Sequence, residues 1–253
     1  MKAFIIYLPS REHSVSHSQY MLEQLQEYGI ETELFEGVAG DTAVRLAQKS
    51  NKSLYPYSIK NRELDADELK TMLKASYARN FEHKYHFVVH ERQLIDKADI
   101  SKLSRPGVVG CFYSHYRLWE KCLALNENIM IFEDDVKFFR GYEPVDFEGV
   151  LILSLGKSAF LNEPFKTYLE NPSGAPRAVP WKNFSMPGAS GYVITPRAAQ
   201  GLVKFYRHFW YPADNAINKF MCPMYVHNYI MGRNTLPEEG NISMTKFKDW
   251  DKS

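Results

Sequence analysis

The sequence predicts an α/β fold, a Rossmann-type mixed sheet flanked by helices, and three observations predict it. Ala3 to Leu8 is an unbroken apolar run closed by Pro9, as expected of a strand buried on both faces. Met21, Leu22, Leu25 and Tyr28 follow at helical spacing, ended by Gly29, and Ile30 to Phe35 then alternates apolar and acidic residues. That order is a β-α-β unit. The third observation is Asn128-Ile-Met-Ile-Phe-Glu-Asp-Asp-Val-Lys-Phe-Phe139, a short branched and aromatic run that stops against three acids. It is too short for a helix and reads as a buried strand whose C-terminal end carries Glu133, Asp134 and Asp135.

Composition bounds the rest. The chain has 253 residues, 45% hydrophobic and 24% charged, and a net charge of +1. It can bury a substantial core as one domain spanning 1–253. Its charge balance offers no field for nucleic acid. The three cysteines, Cys111, Cys122 and Cys222, have no framework spacing and suggest free thiols in a reducing compartment. The first residues lack a signal-like apolar region, and no stretch approaches the ~20 apolar residues of a bilayer span. The expected location is therefore the cytoplasm.

Residues 41–104 are more polar, with a capped amphipathic pattern around Leu64–Leu73, and read as an insertion or accessory lobe. His83, His86 and His90 lie close together there, and solvated or core histidines are the preferred reading over a metal site. Pro106-Gly107 reads as a chain break before a helix from Phe112 to Leu125, with Leu118, Cys122 and Leu125 on one stripe beside Trp119. Val150–Leu155 is a further strand, and 156–187 a long loop rich in Pro, Gly and aromatics. Gly188-Ala-Ser-Gly191 has almost no side-chain bulk. It suits either a close ligand approach or a tight turn with no ligand. Tyr192–Thr195 is a strand, and Pro196 opens the next helix.

Three carboxylates at a strand end cannot share a dry core unpaired. A divalent cation with oxygen ligands, Mg2+ or Mn2+, explains them, and a solvated acidic turn is the competing reading. Asp214, in Pro212-Ala-Asp214, is a candidate general base or a helix N-cap. His227 is a lesser candidate ligand than a satisfied sheet histidine.

Taken in order, Gly110-Cys-Phe-Tyr-Ser-His115 with Leu118-Trp119, Ile131-Phe-Glu-Asp-Asp-Val136, Gly188-Ala-Ser-Gly-Tyr-Val-Ile-Thr-Pro-Arg-Ala-Ala199 and Pro212-x-Asp214 resemble glycosyltransferase family 25. Two segments depart from the family pattern: Tyr7-Leu-Pro-Ser-Arg11 in the first loop and Val108-Val109 before Gly110. The resemblance implies a GT-A-like fold, inversion at the sugar carbon, a Mn2+ or Mg2+ ion, and a nucleotide-sugar donor, usually UDP-galactose. The acceptor it implies is a saccharide or glycolipid of lipooligosaccharide or lipopolysaccharide, with peripheral contact to the inner membrane. It gives Glu133, Asp134 and Asp135 to the metal, Asp135 first, with Glu133 and Asp134 also near the ribose. Asp214 becomes the base. Leu8, Arg11, Ser114, His115, Gly188, Ala189, Ser190 and Gly191 fall to the donor or acceptor. The same acidic strand end also fits a phosphoryl-transfer or hydrolytic enzyme, and the fold without turnover would be a carbohydrate-binding module.

Overall fold

A computed structural model describes residues 1–54, 106–155, 177–178, 189–218, 221–227 and 229–234. The opening unit forms as the apolar pattern requires. Strand β1 (Lys2–Tyr7), helix α1 (Glu12–Glu27) and strand β2 (Thr32–Glu36) make a parallel β-α-β turn. α1 starts earlier than its hydrophobic spacing suggests, because its first turns bury the small Ser14 and Ser18 in place of apolar side chains. It ends where Gly29 takes φ +73°, a left-handed conformation that lets the Gly29 and Ile30 amides reach back to Gln26 and Leu25.

Helix α2 (Gly40–Lys49) and the short strand β3 (Ser53–Leu54) follow. Ala43 and Ala47 of α2 lie in the main core, so this front part of the 41–104 segment belongs to the body of the fold. The remainder, with the Leu64–Leu73 pattern and the three histidines, lies outside the described residues. Helix α3 runs from Pro106 to Leu125, so Pro106-Gly107 does not break the chain but opens the helix. Proline is tolerated in a first helical turn, whose amides have no intrahelical acceptor. On α3, Leu118, Trp119 and Cys122 are buried, whereas Leu125 is exposed.

Strands β4 (Ile129–Glu133), β5 (Val136–Phe138), β6 (Val150–Leu155), β7 (Arg177–Ala178), β8 (Gly191–Ile194), β9 (Phe209–Trp210), β10 (Met224–Val226) and β11 (Gly232–Asn234) complete the set, with helices α4 (Pro196–Phe205) and α5 (Ala213–Ala216). The main sheet has the order β2-β1-β4-β8-β6-β10-β7, with β11 joining β5 to β6. β1, β2 and β4 are parallel, while β8 is antiparallel to both β4 and β6. β3 and β9 form a separate two-stranded sheet.

The alternation of β4 positions the site. Ile129 and Ile131 point to the face covered by α3 and α4, with Phe112, Trp119, Tyr192 and Leu202. Met130 and Phe132 point to the other face, against Met21 and Leu25 of α1. Both faces are covered, so the strand is apolar throughout. By the same period of two, Glu133 turns to the α3 side. α4 is capped by Thr195, whose hydroxyl accepts from the Ala198 amide and donates to Glu148 at 2.8 Å. No described helix is long and apolar enough to cross a membrane.

Candidate active site at the end of strand β4

The parallel ends of β1 and β4 lie side by side, with Ile6 paired to Glu133. These are the carboxyl ends of parallel strands, outside which an open α/β fold binds ligands. The acidic triplet does not converge there as one cluster. Glu133 ends the strand, and Asp134 and Asp135 form the turn into β5. Among the described residues, the group whose donor atoms gather within 4.8 Å is Cys111, His115 and Glu133.

Cys111 and His115 are one turn apart on α3 and share its sheet-facing side. The Cys111 thiol donates to Glu133 Oε1 at 3.3 Å, and His115 Nε2 lies 3.3 Å from the same oxygen. Behind them, Trp119 Nε1 donates to Tyr192 Oη at 2.9 Å, and that oxygen stands 2.8 Å from His115 Nδ1. With Tyr192 accepting from the indole, its own proton is directed to Nδ1, leaving Nε2–H to donate to Glu133. The line Trp119–Tyr192–His115–Glu133 thus runs from the core to the site. Its last member has a side chain 25% exposed, while His115 is enclosed completely.

The electrostatics follow from this packing. Burial pushes the Glu133 carboxyl up, but the hydrogen bond and electrostatic pull of His115, with the Cys111 thiol, hold it below the usual range. Burial, and then Glu133, Asp214 and Asp135, push the Cys111 thiol well up, so it stays protonated. Asp214 sits in the first turn of α5, with Pro212 before the helix, and is not the N-cap. Burial and the charge of Glu133 raise it to about 6, against the opposing pull of backbone amides and His115.

The two turn acids face different ways. The Asp134 carboxyl is raised by burial, is hydrogen-bonded by Ser14, and feels His17 and His13. His17 Nδ1 donates to its carbonyl. Asp135 Oδ2 accepts from Asn234 Nδ2 at 2.8 Å, across from β11. Cys111 feels Glu133, Asp214 and Asp135, and the last two of these lie far apart in sequence from each other.

Several residues expected to meet a ligand have structural tasks. The Ser114 hydroxyl donates to Gly110 and accepts from the Val38 amide, both at 2.8 Å, pinning α3 to the segment after β2. Ser190 is fully buried; its hydroxyl donates to Ser154, and its carbonyl accepts from the Glu133 amide at 2.9 Å. A Cβ on Gly191 would stand 2.7 Å from both the Phe132 ring and Ser154 Cβ, so that glycine serves packing between β4 and β6. Ala189 is buried beside it. The Ser190 carbonyl of this turn supports Glu133 from behind. Gly188 lies outside the described residues.

In the first loop, the Leu8 amide donates to Ser14 Oγ and the Leu8 carbonyl accepts from the Arg11 amide. His227 is satisfied, as preferred: Nε2 donates to the Glu143 carbonyl at 2.7 Å, and Nδ1 accepts from the Tyr229 amide at 2.9 Å. It has no nitrogen left for a metal. Cys111, Tyr192, Ser14 and Asn234 were not singled out by sequence. The i, i+4 spacing of Cys111 and His115 was a usable signal for the first; Asn234, 99 residues from Asp135, carried none.

Comparison with known proteins gives the family. Residues 1–145, more than half of the chain, match the family described as glycosyltransferase family 25 (LPS biosynthesis protein), a span that runs through 41–104. A glycosyltransferase 25 family member of Aedes aegypti is 26% identical over 137 residues, 53% of this chain and 16% of that protein. One from Anopheles gambiae is 26% identical over 134 residues, 53% and 17%. The lipooligosaccharide biosynthesis protein lex-1 of Haemophilus influenzae is 29% identical over 143 residues, 49% and 44%. The chain thus spans less than half the length of each of these relatives. With residues 1–145 matched, a span that takes in the β-α-β unit and the acidic end of β4, the chain belongs to glycosyltransferase family 25.

Proposed function

We propose that the chain is an inverting glycosyltransferase that moves a hexose, galactose from UDP-galactose in the first place, onto a saccharide acceptor of lipooligosaccharide or lipopolysaccharide. Family membership supports the reaction class, and the name of the Haemophilus relative supports the acceptor class. The observation that carries the mechanism is Asp214, raised to about 6 within electrostatic reach of Glu133. A carboxylate so tuned is ionised near neutrality yet basic enough to receive a proton.

Asp214 accepts the acceptor hydroxyl proton as that oxygen bonds the anomeric carbon. The bond from that carbon to the diphosphate oxygen breaks on the opposite face, and the electron pair leaves with the nucleotide. Burial raises Asp214, and Glu133, held ionised by His115, adds to it. A Mn2+ or Mg2+ ion suits hard carboxylates used one or two at a time with phosphate oxygens and water. Glu133, Asp134 and Asp135 at the end of β4 would hold it, Asp135 first. Such an ion supplies charge neutralisation for the departing diphosphate. Leu8 and Arg11 border the donor side, and the cytoplasmic face of the inner membrane is the expected workplace for a glycolipid acceptor.

The test is UDP release from UDP-galactose with and without a lipooligosaccharide acceptor, in Mn2+ and in chelator. Release that needs the acceptor and disappears in chelator supports the reading. Release indifferent to the acceptor points to hydrolysis, and transfer persisting in chelator removes the metal.

A further inference from the structure

The α3 side of the acid turn carries a donor set of a different chemical kind. Cys111 Sγ and His115 Nε2 each stand 3.3 Å from Glu133 Oε1, and the three atoms lie within 4.8 Å of one another. In a tetrahedral zinc site with bonds of about 2.0–2.3 Å, adjacent ligand atoms are separated by roughly 3.3–3.7 Å. Two edges of such a tetrahedron are therefore already in place, and the third has only to contract.

The imidazole is braced as a ligating imidazole usually is. Tyr192 Oη engages Nδ1 and is itself fixed by Trp119, so the ring cannot turn Nε2 away from Glu133. The route in is open on one side only. Cys111 is partly exposed and the Glu133 side chain is 25% exposed, while His115 closes the back wall. Sulfur, imidazole and carboxylate together suit a borderline-soft ion and not the hard ions of an all-oxygen site. The carboxylates of Asp214 and Asp135, which also act on Cys111, add negative potential around the position.

We infer that Cys111, His115 and Glu133 form a binding site for a zinc-class divalent cation, with a fourth position left to water. It needs only these three side chains and does not rest on the transferase reading. On binding, the thiol proton passes to solvent and Sγ bonds the ion. The imidazole changes tautomer, its proton passing from Nε2 to Nδ1, which then donates to Tyr192 Oη as the tyrosine hydroxyl proton rotates away from the ring. Glu133 cannot serve this ion and the acid turn together, so zinc withdraws it from the turn.

Cobalt(II) tests the site without any assay of turnover. The reduced, chelator-treated chain is titrated with Co2+. The expected result is the intense visible absorption of four-coordinate cobalt, with a near-ultraviolet sulfur-to-cobalt charge-transfer band that saturates at one equivalent and is discharged by Zn2+. Cys111→Ser is expected to lose the charge-transfer band. As a second measurement on the unaltered chain, Zn2+ slows alkylation of Cys111 by about tenfold or more, read by mass spectrometry. A pale six-coordinate spectrum, a charge-transfer band that survives Cys111→Ser, or alkylation of Cys111 at one rate with and without Zn2+ overturns the inference.

Discussion

His115 and His227 are both sealed inside the same fold, at 0% and 1% exposure, and both use two ring nitrogens. His227 spends them on the backbone, on the Glu143 carbonyl and the Tyr229 amide. His115 spends them on side chains, Tyr192 on one side and Glu133 on the other. Burial lowers His227 below the usual histidine range, which suits a ring that only bridges two loop segments. His115 instead passes its influence to a partly exposed carboxylate and through it to Asp214. A histidine closed on backbone holds a loop; one closed on a carboxylate tunes a site. Residue type and burial are the same in both, so only the partners separate them.

The sharpest test of that contrast lies at the far end of the His115 line. Asp214→Asn is expected to lower transfer by about 10²–10⁴-fold with the circular dichroism spectrum unchanged. A near-normal rate would sink the base assignment. In the unaltered protein, transfer should rise as pH passes through about 6, as Asp214 ionises. Stability moves the other way. A folded-state value raised above the ordinary one contributes stability that is full below about pH 4 and is lost as pH rises through the raised value. Asp214→Asn abolishes the cost of ionising that carboxyl, so at neutral pH it should be more stable to unfolding, by roughly 3 kcal/mol.

The next effect in size belongs to His115 itself. His115→Ala should reduce transfer about 10–100-fold and flatten the pH profile near 6, because Glu133 loses its clamp. His227→Ala should do the reverse. It leaves two backbone groups without their partner and costs about 2 kcal/mol in urea unfolding, while the folded fraction keeps its turnover. Equal damage to turnover from both substitutions would erase the distinction drawn here. The smallest effect is expected from Tyr192→Phe, which removes one hydrogen bond on each side of Oη. The fall in transfer is expected to be modest, with a stability loss of about 2 kcal/mol from the two buried groups left unpartnered.

The strands were legible because each is a short apolar run with both faces covered. β1, β4 and β8 are where the hydrophobic pattern puts them, and Gly29 and Thr195 mark helix ends by their own chemistry. Proline punctuation misled at Pro106, since the residue that breaks a helix interior also opens one. The acid triplet was found as a triplet, but strand alternation ends at Glu133. That sends its side chain to α3 and leaves Asp134 and Asp135 to a turn whose partners are remote in sequence. The packing at Gly191 had no sequence signal, because only strand pairing brings the Phe132 ring and Ser154 to where its side chain would stand.

The hydrogen bond from Asn234 to Asp135 has a consequence for biosynthesis. A ribosome that has made β1, α3 and β4 has already made Cys111, His115 and Glu133. The amide that orients Asp135 is encoded 99 residues later, in the last described strand. Contacts so distant along the chain form late in folding. The acid turn is therefore set last, after Cys111, His115 and Glu133 and the Tyr192 that braces them have all been made.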